Sequence, residues 1–331
     1  MFHLKNIFVQ IHFSMFSIER KKENGFDKII LRDNNSTTAA AMLPACGAIL
    51  HSFEVQLNGE SFNVIDSYTS QDDFDKNAES KGFMGSKLSP FVCRLRNGMY
   101  DFGGKNYKVD SFYLQQHAIH GLIYRKAFTV IAENADSNAA SVTMKYEYRA
   151  DDKGYPFNYD CIVTWQLQHE NSLTVTTECI NKDKVTIPMQ DGWHPYFRLG
   201  DKMDNLYLQF QSREMVAFDE DLLPTKGLIE YKNFNSMKKI GATSLDNCFT
   251  LNKQPGKPAC ILRNEIKKIQ VEILPGDSYP YLQLYIPPHR ESFAIENLSG
   301  APDAFNNGMG VVLLEPGKLT EFGTSYKIFL D

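Results

Sequence analysis

Alternation with a period of two is the feature that most limits what this chain can fold into. In "SVTMKYEYR", Val142, Met144, Tyr146 and Tyr148 alternate with Thr143, Lys145 and Glu147. Successive side chains of an extended strand point to opposite faces, so this pattern predicts a strand with one buried face. The same alternation returns in "CIVTWQL" (Cys161, Val163, Trp165, Leu167) and in "SLTVTTEC" (Leu173, Val175, Thr177, Cys179). "NLYLQF" puts Leu206, Leu208 and Phe210 on one side, and "KIQVEIL" does so with Ile269, Val271 and Ile273. Turn residues separate the runs: Asn58-Gly59, Asn97-Gly98 and Gly103-Gly104. Asn-Gly between alternating runs signals a hairpin, because both residues accept positive φ. Long amphipathic helix patterns are missing; "DDFDKNAESKGFMGS" reads as a loop or a short helical turn. No linker, low-complexity tract or strict repeat divides the 331 residues. The expectation is one all-β antiparallel domain over residues 1–331, a sandwich or a barrel.

Bulk properties narrow the function classes. Apolar residues make up 43% of the chain, enough for a sizeable core. The formal net charge is −5 and the two signs are interspersed, so no basic stripe awaits a nucleic-acid backbone. Cys46, Cys93, Cys161, Cys179, Cys248 and Cys260 form no CxxC pair and no disulfide framework. Several sit at apolar strand positions, which suits free thiols in a reducing cytoplasm. The start, "MFHLKNIFVQIHFSMF", is apolar but broken by Gln10 and His12. No small-residue cleavage site follows, and the next residues are charged. Residues 1–14 read as an extra N-terminal segment, or as the product of an upstream start with Met15 as the true one, rather than as a signal peptide. No run is long enough to span a membrane.

A few polar residues stand where chemistry is plausible. "DGWHPYF" sets His194 before a proline, which holds it extended. Trp193, Tyr196 and Phe197 around it either wall a pocket and stack on the C–H face of a sugar, or simply pack a half-buried strand end. "FAIENLSG" places Glu296 directly after an apolar stretch. A buried carboxyl has its pKa raised towards neutrality, as a general base needs; a capping role for the loop is the alternative. In "HAIHGL", Gly121 after His120 permits a sharp turn or close ligand approach. Arg94 in "VCRLRNG" precedes a turn and offers a fork of donors; Asp246 in "SLDNCF" accepts hydroxyl protons or makes an Asx turn. Nucleotide-binding glycine loops, HExxH and GxSxG are missing. The histidines lack metal-ligand spacing: a strand would send His117 and His120, three apart, to opposite faces.

Taken in order, "LSPFVCRLRNGMYDFGGKNYKV", "HAIHGL", "GYPFNYDCIVTWQL", "DGWHPYF", "SLDNCF", "FAIENLSGAPDAFN" and "VVLLEPGKLTEF" resemble the aldose 1-epimerase (galactose mutarotase) family. "MLPACGAILHSFEV" looks like its N-terminal strands. The resemblance implies a large twisted antiparallel β-sandwich with a sugar in an open cleft and no organic cofactor, and the chemistry demands no metal. It implies an isomerase that interconverts the anomers of a free hexose, with His194 as general acid and Glu296 as general base. His120, Asp246 and Arg94 would hold the hydroxyls, and the protein would be a monomer or homodimer. Two positions depart from the family pattern. Cys93 stands where asparagine commonly precedes the arginine, and Leu122 replaces the second glycine of "HGG". The second change resembles branches that act on hexose 6-phosphates; clustered Arg125, Lys126 or Arg198 at the cleft would favour that substrate. A non-catalytic carbohydrate-binding module and a glycoside-cleaving enzyme are the remaining readings. The first would lack the acid or base, and the second would need two carboxylates flanking the bond.

Overall fold

The computed structural model describes residues 15–331. Expectations for residues 1–14 lie outside the described residues.

The strands that alternate in sequence are the ones that build the larger wall. A nine-stranded sheet runs in the order Thr129–Ala135, Ala139–Arg149, Asn158–Gln168, Ser172–Asn181, Leu319–Leu330, Ile269–Pro275, Cys260–Asn264, Tyr207–Phe210 and Lys238–Lys239. Its paired strands are antiparallel throughout. Val142, Met144 and Tyr148 are buried, while Thr143, Lys145 and Glu147 face outward. Cys161, Val163, Trp165 and Leu167 follow suit, as do Leu173, Val175, Thr177 and Cys179.

A second sheet packs against this one. It runs Pro224–Glu230, Ser212–Phe218, Asp246–Leu251, Tyr281–Tyr285, Phe293–Leu298, Gly192–Trp193 and Lys87–Leu88, with Tyr196–Phe197 and Ile65–Asp66 continuing beside Phe293–Leu298. Trp165, Val175, Leu262 and Val271 of the first sheet share one hydrophobic cluster with Trp193, Leu282, Leu284 and Ile295 of the second. That is the antiparallel sandwich, with its core between two inner faces. A five-stranded sheet, Phe16–Glu23 to Glu60–Asn63, adds Leu31, Leu50 and Phe53 to the same cluster.

Two of the three glycine-containing turn pairs close the hairpins expected of them. Leu57 pairs with Glu60 across Asn58-Gly59, both at positive φ, a two-residue hairpin. Gly103-Gly104 does the same between Phe102 and Lys105. Asn97-Gly98 does not make the expected hairpin. It lies in a 3-10 turn between Arg94–Leu95, which pairs with His117–Ile119, and Met99–Phe102, which pairs with Lys105–Lys108. Positive φ serves a change of direction there, and the flanking strands leave for different sheets. The segment read as loop or helical turn holds the helix Gln71–Asn77, capped by the Ser70 hydroxyl accepting from the Asp73 N–H. Among the described residues, no helix is long and apolar enough to cross a membrane.

Candidate active site

One face of the second sheet gathers the polar residues. Leu282, Leu284 and Ile295 point into the core, so the alternate positions Gln283, Tyr285 and Glu296 turn to the other face. Gln283 stands directly opposite Glu296 on one side and Cys248 on the other. Asp246, two residues before Cys248, shares that face, and its carboxylate accepts from the Gln283 amide at 2.9 Å.

His194 reaches Glu296 through sheet register. Trp193 pairs with Asn297 and Tyr196 with Ala294, so the register carries across Pro195 and sets His194 opposite Glu296. Pro195 has no N–H to donate, and the chain finds other partners there. The His194 N–H donates to the Ser86 carbonyl, and the His194 carbonyl accepts from the Gly85 N–H at 2.8 Å. Its Nε2 lies 3.4 Å from Glu296 Oε1. Tyr196 stacks parallel to the imidazole at 5.1 Å, its hydroxyl donating to the Gly82 carbonyl.

His120 and Arg94 come from a small three-stranded sheet. Arg94 pairs with Ile119, and the His120 N–H donates to the Cys93 carbonyl at 2.9 Å. Cys93 and His120 both hold positive φ, uncommon for residues with a β-carbon and typical of functional segments. Gly121 makes the turn possible. A β-carbon there would stand 2.2 Å from the Ser89 carbonyl oxygen, to which Leu122 N–H donates at 2.7 Å. The ring of His120 sits 5.0 Å from that of His194, edge to face, with Phe83 on its other side at 4.6 Å.

These groups line one open cleft of about 640 Å³, together with Asp66, Glu79, Lys81, Phe83, Tyr285 and Glu291. Arg94, His120, His194, Asp246 and Glu296 thus lie along one cleft. Trp193 does not join them. Alternation turns it to the face opposite His194, where it packs on Trp165 at 5.2 Å with Lys87 Nζ 4.5 Å from its ring. Lys87 pairs there with buried Asp191 at 2.5 Å, which also accepts from the Tyr279 hydroxyl. Phe83, Tyr196, Phe218 and Tyr285 are the phenyl and phenol rings that line the cleft. Gln283, Phe83 and Tyr285 escaped the sequence reading. Gln283 had a signal: it is the polar centre of "YLQLY", flanked by two core leucines.

Burial governs the ionisation of the cluster. Glu296 is held well above the usual carboxyl range by desolvation, helped by repulsion from Asp246. Burial raises Asp246 as well, against the opposing pull of the Arg94 charge and the Gln283 hydrogen bond. Burial pushes His194 down to about 3, and it lowers His120 further than its neighbours His194 and Arg94 do. Both shifts favour a proton of the His194–Glu296 pair on the carboxyl rather than on the imidazole in the empty cleft. Glu296 Oε2 and the Nδ1 atoms of His194 and His120 are buried without a protein partner. Buried polar atoms left open in this way call for a ligand or water.

Comparison with known proteins agrees with this architecture. Residues 27–327 match the family described as Aldose 1-epimerase. Among curated proteins, the uncharacterized protein YihR of Escherichia coli is 27% identical over 240 residues, covering 71% of this chain and 76% of its own length. A maltose epimerase of Levilactobacillus brevis is 22% identical over 209 residues, covering 61% and 58%. A galactose mutarotase-like protein of Clostridium acetobutylicum superposes with a TM-score of 0.83 over 96% of this chain and 99% of its own, at 16% identity. Galactose 1-epimerase of Lactobacillus acidophilus does so at 0.78 over 95% and 98%, at 22% identity.

Proposed function

Because the chain belongs to the aldose 1-epimerase family, we propose that it interconverts the α and β anomers of a free hexose by ring opening and reclosure. The observation that carries this reading is the 3.4 Å contact between His194 Nε2 and Glu296 Oε1 at the cleft. The two hemiacetal oxygens of a pyranose share one carbon, so an acid and a base serving them must themselves lie a few ångströms apart. A single proton transfer within the pair yields a carboxylate and an imidazolium. Glu296 then removes the proton of the C1 hydroxyl while His194 protonates the ring oxygen. The aldehyde turns about its C1–C2 bond and closes on the other face with the roles reversed. Arg94, His120, Asp246 and Gln283 supply donors and acceptors for the remaining oxygens. Each placed acid or base contributes roughly 10²–10⁴ in rate. All six cysteines are free and buried, which supports a reducing, cytoplasmic setting for this activity.

Charge favours a neutral sugar over a phosphorylated one. Asp66, Glu79, Asp246, Glu291 and Glu296 line the cleft against Lys81 and Arg94. Arg125 is bound to Glu79 at 2.6 Å, Lys126 to Asp151 at 3.0 Å and Arg198 to Asp66 at 3.7 Å, and none of the three lines the cleft. A dianionic phosphate would meet acids without a free basic cluster. Asp246 is a second carboxyl near Glu296, but the two stand on one sheet with the Tyr281–Tyr285 strand between them. They do not flank a bond as a glycosidase pair must. A non-catalytic module has no need of an acid and a base held in register.

The test is mutarotation of pure α-anomers, followed by polarimetry or NMR. Glucose, galactose, maltose and glucose 6-phosphate are compared at equal concentration; maltose is included because the cleft is wide and the Levilactobacillus relative is named for it. Faster equilibration of a neutral aldose is expected. Equilibration of every sugar at the blank rate would refute the proposal, and preference for the phosphate would refute its substrate.

A further inference from the structure

We infer that the floor of the cleft is a zinc-class cation site built from Cys93, His120 and Glu296, with His194 as a fourth donor. One ligand atom from each of the first three lies within 4.8 Å of the others, and all three residues are buried. His194 Nε2 is 3.4 Å from Glu296 Oε1. Glu296 Oε2 and His120 Nδ1 have no protein partner. A thiolate, two imidazoles and a carboxylate form a borderline-soft set that suits zinc and disfavours magnesium or calcium. Metal–ligand distances of about 2.0–2.3 Å put tetrahedral neighbours roughly 3.3–3.8 Å apart, so the ligand atoms of Cys93, His120 and Glu296 close by about an ångström of side-chain movement.

Backbone geometry holds the donors near one another. His120 N–H donates to the Cys93 carbonyl, so thiol and imidazole sit at adjacent ends of two paired strands. Glu296 and His194 face each other in the second sheet. The spacing of His117 and His120 hid this, because the ligands come from four separate segments. Cys248 shares the cross-strand row with Gln283 and Glu296 but lies outside the group. Binding displaces the Cys93 thiol proton, and any proton on Glu296, to solvent. The cation then occupies the carboxylate and imidazole lone pairs that proton transfer requires. On the function proposed above, zinc is an inhibitor rather than a cofactor.

The experiment uses the full chain, reduced and stripped with EDTA. Cobalt(II) is titrated and read by its thiolate-to-metal charge-transfer absorption, and zinc affinity is then measured by competition with a chromophoric chelator. We expect one cobalt per chain with the thiolate band, displaced by equimolar zinc. Cys93→Ser should abolish the band and weaken zinc binding at least about 10-fold. Cys248→Ala should keep both, and circular dichroism confirms that each variant is folded. A wild-type protein without stoichiometric cobalt, or a Cys93→Ser protein with unchanged band and affinity, would overturn the site. These readouts need no sugar turnover. A chain that binds cobalt through thiolate but leaves every sugar at the blank rate keeps the site and loses the proposed reaction, and the reverse result loses the site alone.

Discussion

Acid should barely slow this reaction between about pH 7.5 and about pH 5, and the reason is the burial of His194. On the proposed cycle the working pair carries one proton. A second proton, added to His194, leaves Glu296 without its base form and stops the cycle. An imidazole at its ordinary pKa of about 6.5 would be roughly 97% protonated at pH 5, and the rate would fall about 30-fold from its value at pH 7.5. Desolvation instead pushes His194 down to about 3. On that value only about 1% of the pair gains its second proton at pH 5, so the rate stays flat. The alkaline limb is the loss of the single proton, and it lies above the ordinary carboxyl range because burial and Asp246 raise Glu296. The assay is stopped-flow polarimetry across pH with the buffer-catalysed rate subtracted, and far-UV circular dichroism verifies the fold at each point. An acidic limb centred near the value of a free histidine would refute the reasoning, since it would mean an imidazole still open to water in the working state.

Glu296→Gln should lower the mutarotation rate by roughly 10²-fold or more, while stabilising the protein increasingly as pH rises. Folding raises the carboxyl's pKa, so its contribution is complete below the ordinary glutamate range and drains away as pH climbs through the raised value. Urea midpoints of variant and wild type at pH 5 and pH 8 measure this, and a gap that does not widen contradicts it. Gly121→Ala must push its β-carbon about 1 Å from the Ser89 carbonyl, a displacement beside His120 worth on the order of 10²-fold in rate. Strain at positive φ and overpacking add about 2–5 kcal/mol of destabilisation, and an alanine variant with wild-type midpoint and turnover would count against the tight turn. Trp193→Phe should cost ~1–3 kcal/mol in urea unfolding with the KM for sugar unchanged. A raised KM at full stability would return the indole to the cleft.

The sandwich was legible because its long strands have one wet face. Val142 to Tyr148, Cys161 to Leu167 and Leu173 to Cys179 show their orientation in their own residue types. The strand of Glu296 gives no such sign: Phe293–Leu298 is buried on both faces, so its chemistry rests on one carboxyl among apolar neighbours. Trp193 was misplaced for a related reason. Nothing in "DGWHPYF" says which side of the strand meets the ligand, and a shift of one residue exchanges the faces. Asn97-Gly98 identified a reversal of the chain but not the partner of the strand that followed. Gln283 and Cys93 matter through neighbours on other strands, among them Asp246 and Glu296, and only the strand order of the sheets brings those together.

His194 and Glu296 are held by the ladder of one sheet, with Ser86 and Gly85 gripping the backbone where Pro195 interrupts it. Their separation is thus a property of the same hydrogen bonds that keep the sandwich together. Heat inactivation and loss of secondary structure should then follow one curve, and a thermally tolerant variant of this protein should remain a competent catalyst up to its melting point.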